Sequence, residues 1–176
     1  MRGRFRRTPL LLSVLGVGLA GGIVIFALEA RPDADGTVVV ALEQAYVGTA
    51  YAFDGTLCLG SPQVAAEVVS VEVEQAPGGS TELLRPPEGG RPSIGFPVDA
   101  DDAGGDVEGY RVPAGEDDCT LRVLVTPSEQ GPVRAGAIEV RMAYGPFGLL
   151  RRTATVRPQV TLDVTGTGQD PRSDLG

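Results

Sequence analysis

The sequence predicts an all-β fold, an antiparallel sandwich preceded by one N-terminal transmembrane helix. Three observations predict it. An uncharged apolar run fills residues 9–28, period-two alternation dominates after residue 36, and no later segment carries the apolar period of an amphipathic helix. The expected division is a cytoplasmic Arg-rich tail at 1–8, a transmembrane helix at 9–28, a linker at 29–36, an extracytoplasmic domain at 37–165 and a disordered tail at 166–176. Roughly 130 residues for the body is the size of one domain with its own core.

The span comes first. Residues 9–28 read PLLLSVLGVGLAGGIVIFAL, 20 residues without a charge. A helix of that length covers about 30 Å, the thickness of the hydrocarbon core. Lipid offers no partners for backbone N–H and C=O groups, so the segment must be helical. Arg2, Arg4, Arg6 and Arg7 precede it, and Glu29, Arg31, Asp33 and Asp35 follow. Basic residues stay on the cytoplasmic side, so the rest of the chain is expected outside. A cleaved signal peptide is the competing reading. Against it, the run exceeds the apolar core of such peptides, roughly 7–15 residues. The late cleavage site after Ala30 would also place bulky Leu28 where a small residue is preferred. Gly18 and Gly22 have the spacing that lets two helices approach closely, which would support a homodimer. Glycine is common in spanning helices without that role, and the plainer reading is preferred.

Strands follow. In Val69-Ser70-Val71-Glu72-Val73-Glu74 the valines are expected on one face and the polar residues on the other. Leu121, Val123 and Val125 share an apolar face. Ile138, Val140, Met142 and Tyr144 alternate with Glu139, Arg141 and Ala143, and Val160, Leu162 and Val164 with polar neighbours. Residues 64–76 contain helix formers, but five valines there suit a pleated surface better. Asp54-Gly55 reads as a short hairpin turn between Tyr51–Phe53 and Thr56–Cys58. Tyr144-Gly145-Pro146-Phe147-Gly148 should link residues 136–144 to 149–157 as a second hairpin. The Gly/Pro-rich stretches 77–93 and 99–118 read as mobile loops. Seven or eight short strands in one domain point to an immunoglobulin-like sandwich.

Cys58 and Cys119 are the only cysteines, and both fall on the predicted oxidising side. A disulfide between them, compatible with a bridge between the two sheets, would stabilise the fold by about 4 kcal/mol in the chain-entropy model. A reactive or metal-binding pair would lack both CxxC spacing and a histidine. The Trp that packs on the bridge of antibody domains is absent, so only the broader architecture is supported.

Composition excludes several chemistries. Lys, His, Asn and Trp are absent, and all 15 basic residues are Arg. Without His there is no Ser-His-Asp or Cys-His relay. Without Lys there is no Schiff base and no phosphate-loop lysine. The same bias marks a high-GC bacterial genome. From residue 29 onward 11 Arg stand against 23 acidic residues, so this part carries −12. A body this acidic repels nucleic acid.

Acids cluster at Asp99, Asp101, Asp102, Asp106 and Glu108, with Glu116, Asp117 and Asp118 after them. Clustered carboxylates outside the cell can bind Ca²⁺ through oxygen. The EF-hand template fails, because Ala103 and Tyr110 occupy its fifth and twelfth positions counted from Asp99. A solvated loop is the expectation, with a weak calcium site as the alternative. Carboxylate-only hydrolysis needs two acids fixed across a cleft, and these acids sit in glycine-rich loops. Phe147 and Leu149 lie at a hairpin tip. They are expected to fold back onto the core; left exposed, they would contact a partner or a membrane surface.

The chain resembles a group of membrane-anchored exported proteins of actinobacteria with no assigned activity. The features that carry the likeness are the Arg-rich start with its single span, Leu57-Cys58-Leu59-Gly60-Ser61-Pro62 leading into Val68–Val73, and Cys119 opening a late strand before the last hairpin pair. The resemblance implies an extracytoplasmic β-domain and assigns no residue a role. The expectation is a non-enzymatic, cofactor-free binding or scaffolding component of the cell envelope. It is held to the lipid bilayer by residues 9–28 and faces an envelope protein or glycan. A calcium-dependent binding module using 99–118 and a carboxylate hydrolase are the alternatives.

Overall fold

The computed structural model describes residues 31–36, 38–61 and 63–167. The expected cytoplasmic tail, the span with Gly18 and Gly22, and the chain from residue 168 onward lie outside the described residues. Among the described residues, no helix is long and apolar enough to cross a membrane.

The fold is all-β. The first strands are β1 (Asp33–Asp35), β2 (Val39–Val47), β3 (Tyr51–Asp54) and β4 (Cys58–Gly60). Next come β5 (Ala66–Val73), β6 (Gly79–Leu84), β7 (Ile94–Pro97), β8 (Arg111–Val112) and β9 (Asp117–Asp118). The last are β10 (Arg122–Pro127), β11 (Gly131–Arg134), β12 (Ile138–Tyr144), β13 (Leu150–Val156) and β14 (Gln159–Thr167). They form four sheets, ordered β6-β10-β3-β7, β13-β12-β5-β8, β11-β14-β2 and β1-β4-β9. One contiguous core takes side chains from all four. Phe53, Leu59, Met142 and Leu162 are fully buried in it. The inward sets Ile138/Val140/Met142 and Val160/Leu162/Val164 are buried as their alternation predicts.

One pairing departs from the antiparallel expectation. β14 runs parallel to β2, from Gln159 opposite Val39 to Thr167 opposite Val47. Two register shifts accommodate the pair, and Gln44, at φ 64°, sits at the first. At Gly166 a Cβ would lie 2.3 Å from the Tyr46 ring, so this strand end requires glycine. Gly166 and Thr167, expected in the disordered tail, belong to β14. Asp33–Asp35, expected in the linker, form β1 and pair with β4.

The Tyr144–Gly148 hairpin is present, with Tyr144 opposite Leu150. The Asp54-Gly55 hairpin is not. β3 pairs with β10 and β7, whereas β4 pairs with β1 and β9. Gly55 does take the left-handed conformation, φ 73°, that makes Asp-Gly a turn signal. Here it turns a corner between sheets, because the Asp54 carboxylate is held across its own sheet by the Ser93 N–H (2.7 Å) and by Arg122.

β5 forms as expected, but its valines do not share one face. A bulge at Val69 lets Arg141 pair with Ser70 and Met142 with Val68. The extra residue inverts the phase of the alternation. Val68 is therefore buried and Val69 exposed, while Val71 and Val73 pack against the core. The stretch read as a loop at 77–93 contains β6. Its glycine start is required, since a Cβ on Gly79 would lie 2.7 Å from the Thr126 carbonyl oxygen.

Candidate functional site

The acidic segment, expected as a mobile loop over 99–118, is tied to the domain at several points: Gly105 exchanges backbone hydrogen bonds with Arg85, β8 pairs with β5, and β9 pairs with β4. Val107 is buried, and Gly109 N–H and Tyr110 C=O pair with Val68 of β5 at 2.8 and 2.9 Å. Asp99, Asp101, Asp102, Asp106 and Glu108 are all exposed. Asp99 precedes a 3-10 turn at Ala100–Asp102, closed by Asp102 N–H to Asp99 C=O at 3.0 Å. Asp106 Oδ1 accepts the Glu108 N–H at 3.0 Å. Among the described residues, no three His, Cys, Asp or Glu side chains are placed together to hold a metal ion.

Cys58 and Cys119 form a disulfide, with their Cα atoms 4.0 Å apart. The bridge does not join opposed sheets. Leu59 pairs with Asp118 in the β4–β9 ladder, so each cysteine is one residue beyond that pair. The disulfide therefore extends a ladder and fixes the crossing from β9 to β10. Beside it, Tyr110, Asp118 and Thr120 form a closed cluster. The Tyr110 hydroxyl donates to Asp118 Oδ2 at 2.5 Å. Thr120 donates to Asp118 Oδ1 from its N–H at 3.0 Å and its hydroxyl at 2.7 Å. Burial, followed by the hydrogen bond to Asp118, pushes the Tyr110 phenol above its ordinary value. Burial works to raise the Asp118 carboxyl as well, but the hydrogen bonds from Tyr110 and Thr120 outweigh it and hold that carboxyl below its ordinary value. At neutral pH this is a neutral donor bound to an ionised acceptor, an arrangement that braces a strand crossing.

Arg122 was missed by sequence reasoning. Alternation assigns it to the polar side of β10, yet it is only 3% exposed. Its fork grips Asp54, Nε to Oδ1 at 2.8 Å and Nη2 to Oδ2 at 3.0 Å. Its remaining nitrogen, Nη1, donates to the Asp102 and Ala103 carbonyls at 2.9 and 3.3 Å. The 3-10 turn is thus held to the sheet by its backbone carbonyls, leaving the Asp101 and Asp102 carboxylates in water.

Apolar side chains are exposed at Val38 and Val39, at Val69, at the hairpin tip and on β7. The hairpin tip does not fold back. Phe147 is 98% exposed and Leu149 76%. The tip closes in a tight turn at Pro146–Gly148, where the chain has no residues left to reach the core. On β7, the edge strand beside β3, Ile94 and Phe96 are 57% and 60% exposed. Gly95 between them faces inward at φ 73°, against Leu42 and Phe53. It sits at a register shift between Phe53 opposite Ile94 and Ala52 opposite Phe96. The bulge and Pro97 spoil the hydrogen-bonding edge for another strand, so β7 presents side chains rather than backbone. No sequence pattern marks this pair, because a four-residue strand broken by glycine has no period to read.

Compared with known proteins, the chain matches no family model and no curated sequence.

Proposed function

We propose that this is a single-pass membrane protein whose immunoglobulin-like sandwich works outside the cell as a binding or scaffolding component of the envelope. The observation that carries the reading is the apolar pair Ile94 and Phe96, held outward on an edge strand of a strongly acidic domain. Exposed apolar side chains in such a setting are a recognition feature, since covering them releases water at little conformational cost. The bulged strand fixes their positions before binding. The charge-free run at 9–28 supports the tether, and the disulfide supports an oxidising compartment. This reading agrees with the resemblance to membrane-anchored exported proteins of actinobacteria.

The test uses the full chain in lipid nanodiscs as bait for solubilised envelope proteins and glycans. A component retained by the native chain and lost with Ile94→Ser/Phe96→Ser supports the proposal. Equal recovery by both baits, or by neither, contradicts it.

A further inference from the structure

The N-terminal end of the described chain runs along β13, the strand that leads away from the exposed hairpin tip. Three contacts fix its path. A Cβ on Gly36 would lie 3.2 Å from the Arg157 carbonyl oxygen. Asp33 Oδ1 lies 3.9 Å from Arg152 Nη2. Between those points β1 lies against β13. Followed backward from Gly36 to Asp33, the chain runs from Arg157 toward Arg152. That direction points toward the Leu150 end of β13, and Arg31 itself lies by Gly60, Gly115 and Asp117.

We infer that this tip dips into the outer surface of the same bilayer that residues 9–28 cross, giving the domain a second lipid contact and a set orientation. The inference rests on the anchored reading proposed above. Asp33 lies five residue steps beyond Leu28. Fully extended, those steps reach about 17 Å, which keeps β1 close to the membrane surface. From Arg152, which meets Asp33, five residues along β13 and its turn lead to Phe147. The tip and the tether thus share one end of the domain.

The chemistry of the tip fits the headgroup–acyl boundary. Aromatic rings concentrate there, and apolar side chains seat themselves a few ångströms below the headgroups. Gly145–Leu150 contains no charged residue, and the next two residues are Arg151 and Arg152. The backbone holds the ring outward at a conformational cost: Phe147 has φ 57°, a region L side chains rarely adopt, between Gly145 at φ 75° and Gly148 at φ 63°. The domain as a whole is acidic, so apolar insertion rather than attraction to anionic lipid drives the contact.

The chain lacks Trp, so one introduced Trp reports a single position. The full-length variants Leu19→Trp, Phe96→Trp and Phe147→Trp are reconstituted in phosphatidylcholine vesicles, with and without lipid brominated on the acyl chains. Leu19→Trp and Phe147→Trp should be quenched several-fold more than Phe96→Trp, which lies on a different sheet. Phe147→Trp emission should also be blue-shifted. If Leu19→Trp is quenched and Phe147→Trp is no more quenched than Phe96→Trp, the anchor stands and the tip proposal is overturned. A blue shift at 147 without quenching means a second copy covers the ring, and overturns it too. An unquenched Leu19→Trp removes the anchored reading and the tip contact together.

Discussion

The Arg122 guanidinium grips the Asp54 carboxylate in a two-pronged pair at 2.8 and 3.0 Å, joining residues 68 positions apart on neighbouring strands. Arg122 is almost fully buried and Asp54 nearly so. Removing one partner strands a charge in a low-dielectric site. Asp54→Ala should therefore cost about 3–5 kcal/mol in urea unfolding. The double change Asp54→Ala/Arg122→Met should cost clearly less, because no charge is left behind. Equal losses would mean that the pair works only through packing.

The Cys58–Cys119 bridge closes a separation of 61 residues. Constraining the unfolded chain over that length makes its removal costly. Cys58→Ser/Cys119→Ser should lose about 2–5 kcal/mol, read as a lower midpoint in denaturant. Reducing the native chain should give the same shift.

The Tyr110–Asp118 contact makes stability depend on pH at both extremes. The Asp118 carboxyl is depressed in the fold, so its contribution is present above its unfolded value of about 3.9 and lost as pH falls through the folded one. The Tyr110 phenol is raised, so its contribution is complete below about 10 and lost as pH rises through the folded value. Tyr110→Phe removes a hydrogen bond to the carboxylate. In that variant the Asp118 carbon resonance should titrate at higher pH than in the native chain, and acid unfolding should begin earlier.

Gly136 lies where a Cβ would come within 2.1 Å of the Glu74 carbonyl oxygen. Its N–H donates to the buried Thr81 hydroxyl at 3.0 Å. The obstacle is backbone and cannot rotate aside. Gly136→Ala should destabilise by roughly 1–3 kcal/mol. Gly89→Ala is the contrasting case. No atom stands within 4 Å of its Cβ, so its cost comes from a positive φ of 73° alone and should be smaller.

Much of this fold was legible because burial on one face imposes a period. β12 and β14 announce themselves through Ile138–Met142 and Val160–Val164, whose alternation survives unbroken. The reading failed where one residue changes the phase or the pairing is remote. The bulge at Val69 inverts a valine run whose composition stays the same. Asp54-Gly55 has hairpin chemistry, but Arg122 captures the aspartate and the chain turns into another sheet. The burial of Arg122 was invisible because it depends on a segment 20 residues away folding over β10. At the surface, the expectation that Phe147 and Leu149 fold back onto the core fails, because the tight turn leaves both exposed. Ile94 and Phe96 were not identified at all.

The tether and its orientation are tested most directly by proteolysis of intact spheroplasts carrying the full chain with an epitope at its C-terminus. Protease added outside should remove the epitope and digest the β-domain without lysis. Survival of the whole domain until the membrane is permeabilised would place it on the other side and contradict the account.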